Sequence, residues 1–561
     1  MHNRPTLFDM LHRTTQKIRT IVLAGYQSAL LRWSLVGSVV LWLAYPPVGW
    51  GLLAWVAPGL WIHQILPPKW NEKRPYLKLW VAGMAFWLLA VHWIRLPHPM
   101  NYLAWATLSA YLGIYLPLFV ALSRVAVHRL RVPLWLAAPV VWTGLDLLRG
   151  HVMTGFLMGS LAHTQIGFPR VIQLADIFGE YGVTFLIVLV ASCFVRVCYR
   201  DRTPSMLARL LQLSPAVVAL AAALIYGQAK FDGHRPTSKP TGPRIALIQG
   251  NYSADWKTDS EKQDRIMREY IKISHDAVVE SGSQKIDLLV WPETTFRHPL
   301  LTTAEGYMLP PDPDRQSMLN TIQEKLVQPL SVAVLVGVSR THIFPVTAGG
   351  FDYADYNSSA LVDNTGKLIG TYDKMHRVLF GEYIPLADWF PILYRLTPLT
   401  GGIQAGQSPT AMQLDGTTYA VNICYETVVP HLIRQHVLEL TENDTPPDVL
   451  VNLTNDAWFW GSSELDMHLA CGIFRAVETR TPLVVAANGG LSAHVDRSGL
   501  VLDVSQRQRP EALLVDVRKS PLNREPTFYV VWGDWFAGLC VLCCIVLAVV
   551  GYRDRRRSSD I

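Results

Sequence analysis

Charged residues are scarce in this 561-residue sequence: Asp, Glu, Lys and Arg make up 17% of it, against about 25% in an ordinary soluble domain. That shortage excludes a soluble protein along the whole length. The net charge of +6 is spread beside apolar runs and forms no single basic stripe, which argues against nucleic acid as a partner. Cysteine is also scarce where chemistry would need it. Of the seven, Cys193, Cys198, Cys540, Cys543 and Cys544 fall inside apolar runs, leaving Cys424 and Cys471 in polar sequence. No Cys-x-x-Cys pair with a matching His or Cys pair occurs there, so a zinc site is not expected, and neither is any other metal or cofactor. A disulfide in that block would have to join Cys424 to Cys471. His376, His431 and His468 are scattered and show no metal-ligand neighbours in the sequence. Internal repeats and low-complexity tracts are missing. The first 30 residues lack a clean apolar core followed by a small-residue cleavage site, so no cleavable signal peptide is expected.

What is abundant is apolar sequence: half of all residues, with 19 Trp. A spanning helix needs about 20 mostly apolar residues, and stretches at 32–47, 50–66, 77–95, 102–123, 132–149, 181–199, 210–228 and 534–552 are candidates. The first two flank Pro46-Pro47 and read as a tight helical hairpin. The fifth is the least typical, because it carries Asp146 and Arg149; their spacing lets them pair on one helix face. Basic residues alternate between the ends of these stretches. Arg13, Lys17, Arg19 and Arg32 come first, then Lys69, Lys73, Arg74 and Lys78, then Arg124, Arg129 and Arg131. Arg196, Arg200, Arg202 and Arg209 follow, and Arg553, Arg555, Arg556 and Arg557 close the chain. Because such residues favour the cytoplasmic side, both termini are expected inside and the segment from about 229 to 530 outside.

Four regions result. They are an N-terminal cytoplasmic extension (1–31), a transmembrane block of about seven helices (32–228), an outer domain (229–530), and a final transmembrane helix with a basic cytoplasmic tail (531–561). A linker is expected at 233–243. The outer domain alternates strand and helix patterns. Runs at 244–249, 286–291, 332–338, 419–424, 449–453 and 482–487 suit buried strands, and 260–280 has helical spacing at Ile266, Tyr270, Ile273 and Ala277. Asn364-Thr365-Gly366 reads as a hairpin turn. The pattern indicates an α/β sandwich.

Several strand runs end abruptly in polar residues: Trp291-Pro292-Glu293, Ile423-Cys424-Tyr425-Glu426 and Leu453-Thr454-Asn455-Asp456. Tyr372-Asp373-Lys374 opens a loop that reaches Gly381-Glu382-Tyr383. Ligands gather at strand ends in open α/β sheets, so these residues are expected to converge. A thiol attacks only as thiolate and needs a base. Glu293 is the candidate base and Cys424 the candidate acylated nucleophile. Lys374 would hold the oxyanion, a contribution of about 3 kcal/mol per donor in well-studied cases. Glu382 would keep Lys374 charged and oriented, or take a second proton-transfer role. Taken singly, each of these residues has an ordinary structural reading: a buried small Cys, a turn Glu, a solvated Lys, a turn at Asn455-Asp456.

Together, these fragments stand in the order and spacing of the nitrilase superfamily. More narrowly, the chain resembles the apolipoprotein N-acyltransferases over nearly all its length. Supporting matches are Ile245-Ala246-Leu247-Ile248-Gln249-Gly250-Asn251, Asn455-Asp456-Ala457-Trp458-Phe459, Arg475-Ala476-Val477-Glu478, Asn488-Gly489 and Thr154-Gly155-Phe156. The resemblance implies an αββα sandwich carrying a Glu293–Lys374–Cys424 triad. It further implies functional roles for Glu382, Tyr425 and Glu426, a substrate-gating role for Trp256, and a match at Asn357. It implies a multi-pass protein of the bacterial inner membrane; the oligomeric state is not readable from the sequence, and a monomer is the default expectation. An acyl chain would pass from a phospholipid, typically phosphatidylethanolamine, through Cys424 to the N-terminal amine of a diacylglyceryl-modified apolipoprotein. Phe380, Trp389, Phe390, Trp458, Phe459 and Trp460 would dip into the interface. The sequence departs from the family in its first 30 residues and in reading Asn488-Gly489-Gly490 where Asn-Asn-Gly is frequent. The rival readings are a membrane-tethered nitrilase-type amidase that hydrolyses small amides, and a transporter or scaffold whose polar residues never converge.

Overall fold

The computed structural model of the chain describes residues 28–199, 206–233, 242–254, 260–296, 299–304, 318–346, 350–387, 389–396, 402–519 and 525–559. Trp256, and nearly all of the N-terminal extension and of the expected linker, lie outside the described residues. The chain divides into two compact units. One comprises Met1–Asp146, Thr184–Ala221 and Gly538–Ile561; the other comprises Leu147–Val183 and Ala222–Ala537.

The first unit is helical. Among the described residues, four helices are long and apolar enough to cross a membrane: Asn101–His128, Glu180–Cys198, Leu210–Phe231 and Trp535–Arg553. Ala29–Trp42 and Pro75–Ala90 are apolar but shorter. The first of these starts at Ser28, whose hydroxyl accepts the Leu31 N–H and so caps it. The stretch at 50–66 is not one helix. It breaks into Gly51–Trp55, Gly59–Ile62 and His63–Ile65, because Pro58 has no N–H to donate and the glycines at 51 and 59 favour a break. Leu134–Arg149 is continuous in spite of Pro139. Helix contact in this unit relies on small residues: a Cβ on Gly83 would lie 2.6 Å from the Gly113 carbonyl oxygen, so only glycine lets the two backbones approach that closely.

The second unit contains thirteen strands among its described residues. In chain order they are β1 (Arg244–Gln249), β2 (Leu288–Val290), β3 (Leu300–Thr303), β4 (Ala333–Pro345), β5 (Phe351–Val362), β6 (Leu368–Asp373) and β7 (Ala411–Leu414). There follow β8 (Thr417–Ile423), β9 (Val449–Asn455), β10 (Leu483–Asn488), β11 (Ala493–Val495), β12 (Val501–Val504) and β13 (Glu511–Asp516). One sheet runs β13-β1-β2-β4-β5-β6, with β3 also on β4; the other runs β12-β11-β10-β9-β8-β7. The central pairs β1/β2, β2/β4, β8/β9 and β9/β10 are parallel, and both sheets finish in antiparallel strands.

The alternation in β1 shows why the layers stack. Ile245 and Leu247 point between the sheets, where they meet Leu288, Leu335, Val421, Val451 and Val484. Ala246 and Ile248 point the other way, onto Tyr270 and Ala277 of the helix Ser260–Ser281. Both faces are therefore buried, and each enclosed Leu, Ile or Val contributes about 1.5–3 kcal/mol. The helices Pro430–Glu442 and Glu464–Thr479 cover the second sheet. Residues 147–183 join this unit through buried ion pairs: Arg475 to Glu180 at 2.7 Å and Arg480 to Asp176 at 2.7 Å.

The Asn364-Thr365-Gly366 turn connects β5 and β6, with Asp363 accepting the N–H groups of Thr365 and Lys367. Its φ of +88° at residue 366 is one that glycine adopts without strain.

Candidate active site

Glu293, Lys374 and Cys424 follow the ends of β2, β6 and β8, and the sandwich brings all three ends together. After β2, the Trp291 N–H continues the ladder to the Leu335 carbonyl at 2.8 Å, and Pro292 then turns the chain. β4 passes directly under this turn at Gly337, where a Cβ would sit 2.3 Å from the Pro292 carbonyl oxygen and 2.6 Å from the Glu293 Cα. That close approach permits no larger residue.

Glu293 is 7% exposed and both its oxygens are engaged. Oε1 accepts Asn357 Nδ2 at 2.7 Å and Lys374 Nζ at 3.3 Å; Oε2 accepts the Asn455 N–H at 3.0 Å. Lys374, 1% exposed, also donates to Glu382 Oε1 at 2.8 Å. Asn357 Nδ2 reaches that same oxygen at 3.0 Å, and Glu382 Oε2 accepts the Val378 N–H at 2.8 Å. One ammonium and one amide thus bridge two carboxylates. Burial alone would discharge Lys374, but the Glu382 and Glu293 carboxylates outweigh it and hold its pKa well above the ordinary value. Burial likewise works against the Glu382 carboxylate, yet Lys374 and the hydrogen bonds keep its pKa below normal.

Cys424 keeps a partly open face and forms no disulfide; Cys471 is a free buried thiol. The nucleophile candidate has a backbone φ of +51°, a left-handed conformation that costs an L-residue about 1–2 kcal/mol. Desolvation and the nearby Glu293 carboxylate push its thiol pKa well above normal, while Lys374 pulls the other way. At neutral pH the sulfur therefore carries its proton, so a nucleophilic role would require a base.

Glu426 is fully buried and acts as a clamp. Its carboxylate accepts the Ile423 N–H at 2.7 Å, the Met375 N–H at 2.6 Å, the His376 N–H at 3.0 Å and the Tyr372 hydroxyl at 2.9 Å. It joins the turn at Cys424 to the segment just after Lys374. Burial still raises its pKa to about 7. Tyr425 donates its hydroxyl to the Gly155 carbonyl at 2.9 Å and stacks on His376.

Trp458 lies half-buried in the turn Asp456–Phe459. Asn488 Nδ2 donates to Asn455 Oδ1 at 2.9 Å, which steadies the strand end whose backbone N–H meets Glu293.

Of His376, His431 and His468, the last two gain ligand-type side-chain neighbours in the fold. His431 groups with His151 and Asp534, and His468 with Asp456 and Glu464, the ligand-type atoms of each group lying within 4.8 Å of one another. Glu464 and His468 stand four residues apart on one helix, whereas Asp456, His151 and Asp534 are brought in by the fold. Asn357 and Glu426 were hard to weigh in the sequence, since their significance lies in partners 64 and 54 residues away.

Comparison with known proteins matches residues 37–193 to the apolipoprotein N-acyltransferase N-terminal domain and residues 244–520 to the carbon-nitrogen hydrolase family. The apolipoprotein N-acyltransferase of Rhodopirellula baltica is 33% identical, covering 95% of this chain and 100% of the relative. That of Geobacter metallireducens is 30% identical over 93% of this chain and 95% of the relative. That of Bradyrhizobium diazoefficiens is 31% identical over 80% of each. With a relative of that identity spanning nearly the whole chain, and with a carbon-nitrogen hydrolase domain carrying the carboxylate–lysine–cysteine cluster, this chain belongs to the apolipoprotein N-acyltransferase family.

Proposed function

We propose that this enzyme moves a fatty acyl chain from a phospholipid, typically phosphatidylethanolamine, to the α-amine of an N-terminal diacylglyceryl-cysteine in lipoproteins, through a thioester on Cys424. The observation that carries the reading is the buried Lys374 ammonium shared by Glu293 and Glu382 beside a thiol on a strained turn. In the first half-reaction Glu293 takes the Cys424 proton as sulfur attacks the ester carbonyl. Lys374 stabilises the oxyanion. The carbon–oxygen ester bond breaks, and the proton on Glu293 passes to the departing lysophospholipid. In the second half-reaction the amine attacks the thioester and gives a proton to Glu293. The carbon–sulfur bond breaks, the sulfur regains its proton, and an amide remains. Glu382 keeps Lys374 charged and in place.

The membrane helices belong to the same account. Extracting a lipid substrate into water would cost about 0.8 kcal/mol per buried CH₂, whereas spanning helices leave the chains in the bilayer. We place eight spans in the chain, with both termini cytoplasmic and the catalytic domain (229–530) on the outer face of the inner membrane, on the alternation of basic residues. The transmembrane block is 32–228, the final helix and tail 531–561, and the protein a monomer. Phe380, Trp389, Phe390 and Trp460 are exposed by 59%, 80%, 57% and 64%, as side chains resting in a lipid interface would be. A tethered amidase would use the same cluster, but it needs one anchor and not four membrane-length helices.

The test uses purified protein, phospholipid carrying a labelled acyl chain, and a synthetic diacylglyceryl-cysteine peptide. The account expects the label on the peptide α-amine and lysophospholipid in equal amount. Release of the label only as free fatty acid would assign a hydrolase.

A further inference from the structure

Behind the nucleophile lies a buried pair that the proposed chemistry does not use. His468, on the helix Glu464–Thr479, places Nε2 3.1 Å from the Cys424 carbonyl oxygen and Nδ1 3.2 Å from Asp456 Oδ1. A carbonyl only accepts, so Nε2 carries a proton. A carboxylate oxygen also needs a donor, so Nδ1 carries one too, and the ring is an imidazolium. Desolvation opposes that charge, but the Asp456 carboxylate prevails and lifts the pKa to about 10. Asp456 Oδ1 is held in turn by the Thr454 hydroxyl at 2.6 Å. Burial and Asp456 both raise the pKa of Glu464, one turn before His468. Asp456, Glu464 and His468 are 3%, 3% and 5% exposed, so neither substrate nor solvent competes for them.

The Cys424 backbone is the reason such a pair matters. A left-handed φ at a non-glycine residue persists only where the surroundings over-determine it. The Cys424 carbonyl accepts from two side chains, His468 Nε2 and, at 3.3 Å, Asn452 Nδ2. Asn452 Nδ2 makes its shorter bond, 2.7 Å, to Asn422 Oδ1, and its neutral N–H is a weaker donor to Cys424 than the imidazolium, which is the stronger hold. We infer that His468, oriented by Asp456, is a positioning residue for acyl transfer: it pins the nucleophile's carbonyl and thereby aims the sulfur at the carboxylate–lysine cluster. The inference rests on the thioester reading above.

Single-turnover acylation of Cys424, followed by mass spectrometry over a range of phospholipid concentrations, tests both. In His468→Ala the rate at saturating phospholipid should fall about 100-fold, the penalty of a misplaced reacting group, while the half-saturating concentration stays within about two-fold. His468→Gln, whose amide N–H reaches the same carbonyl, should recover about ten-fold of that loss, and Asp456→Asn should fall between the two. A general structural defect would not give this split between rate and saturation, nor the rescue. Wild-type acylation by His468→Ala, or a glutamine variant no better than alanine, overturns the inference. If His468→Ala does not fold, the glutamine and Asp456→Asn variants decide: both acylating at the wild-type rate overturns it. Absence of any thioester in the wild-type protein defeats the function reading itself, and this inference with it.

Discussion

The Asn455 N–H donates to Glu293 Oε2 at 3.0 Å, tying the last residue of β9 to the turn after β2. With Asn357 and Lys374 on its other oxygen, Glu293 can hold only one orientation. Glu293→Gln keeps the shape and removes the basicity. Thioester formation should fall by a factor of about 10²–10⁴, the usual worth of a positioned base. Intact-protein mass spectrometry after exposure to phospholipid checks this; a variant that acylates normally would remove Glu293 from the base role.

Lys374, itself 1% exposed, sits between the Glu293 and Glu382 carboxylates and balances part of their charge. Lys374→Met should abolish acylation and destabilise the protein by about 3–5 kcal/mol, the cost of stranding buried charge. Adding Glu382→Gln should restore part of the melting temperature and none of the activity. Equal melting temperatures for wild type and Lys374→Met would contradict the charge accounting.

Cys424 should behave as a thiol across the neutral range. Its pKa is raised, so the protonated form is favoured at pH 7 and the thiolate appears only as pH climbs past the ordinary cysteine range. Alkylation by iodoacetamide in the absence of lipid should therefore be slow at pH 7 and still rising above pH 9. Since Lys374 favours the thiolate, removing that lysine should shift the profile further up. A plateau below pH 8 would show a preformed thiolate instead.

Glu426 serves four donors at once, so its effect should be structural first. Glu426→Gln turns one accepting oxygen into an N–H that faces other N–H groups, stranding donors at about 1–3 kcal/mol each. Thermal unfolding should drop accordingly, and acylation should drop with it, because the clamp joins the Cys424 turn to the Lys374 segment. Unchanged stability would show that water replaces the carboxylate.

What could be read in the sequence was what depends on near neighbours. The edges of β1 and of the helix Ser260–Ser281 follow from a short apolar run and from helical spacing, and the strand ends at Glu293 and Cys424 follow from abrupt polarity. What depends on distant pairing was not readable. Asn357 stands opposite Ser339 across the long β4–β5 pair, and that register carries its amide to two carboxylates. Glu426 looks like a surface residue until the fold encloses it. The 50–66 stretch reads as one apolar segment, and its division into short helices around Pro58 emerges only in the structure.

The central claim is that Cys424 carries the acyl group between donor and acceptor. Purified protein incubated with phospholipid alone should gain the mass of one acyl chain on the peptide containing Cys424. Hydroxylamine or the diacylglyceryl peptide should remove it, and Cys424→Ala should never acquire it. Transfer to the peptide by Cys424→Ala, or an acyl group found on any other residue, would contradict the account.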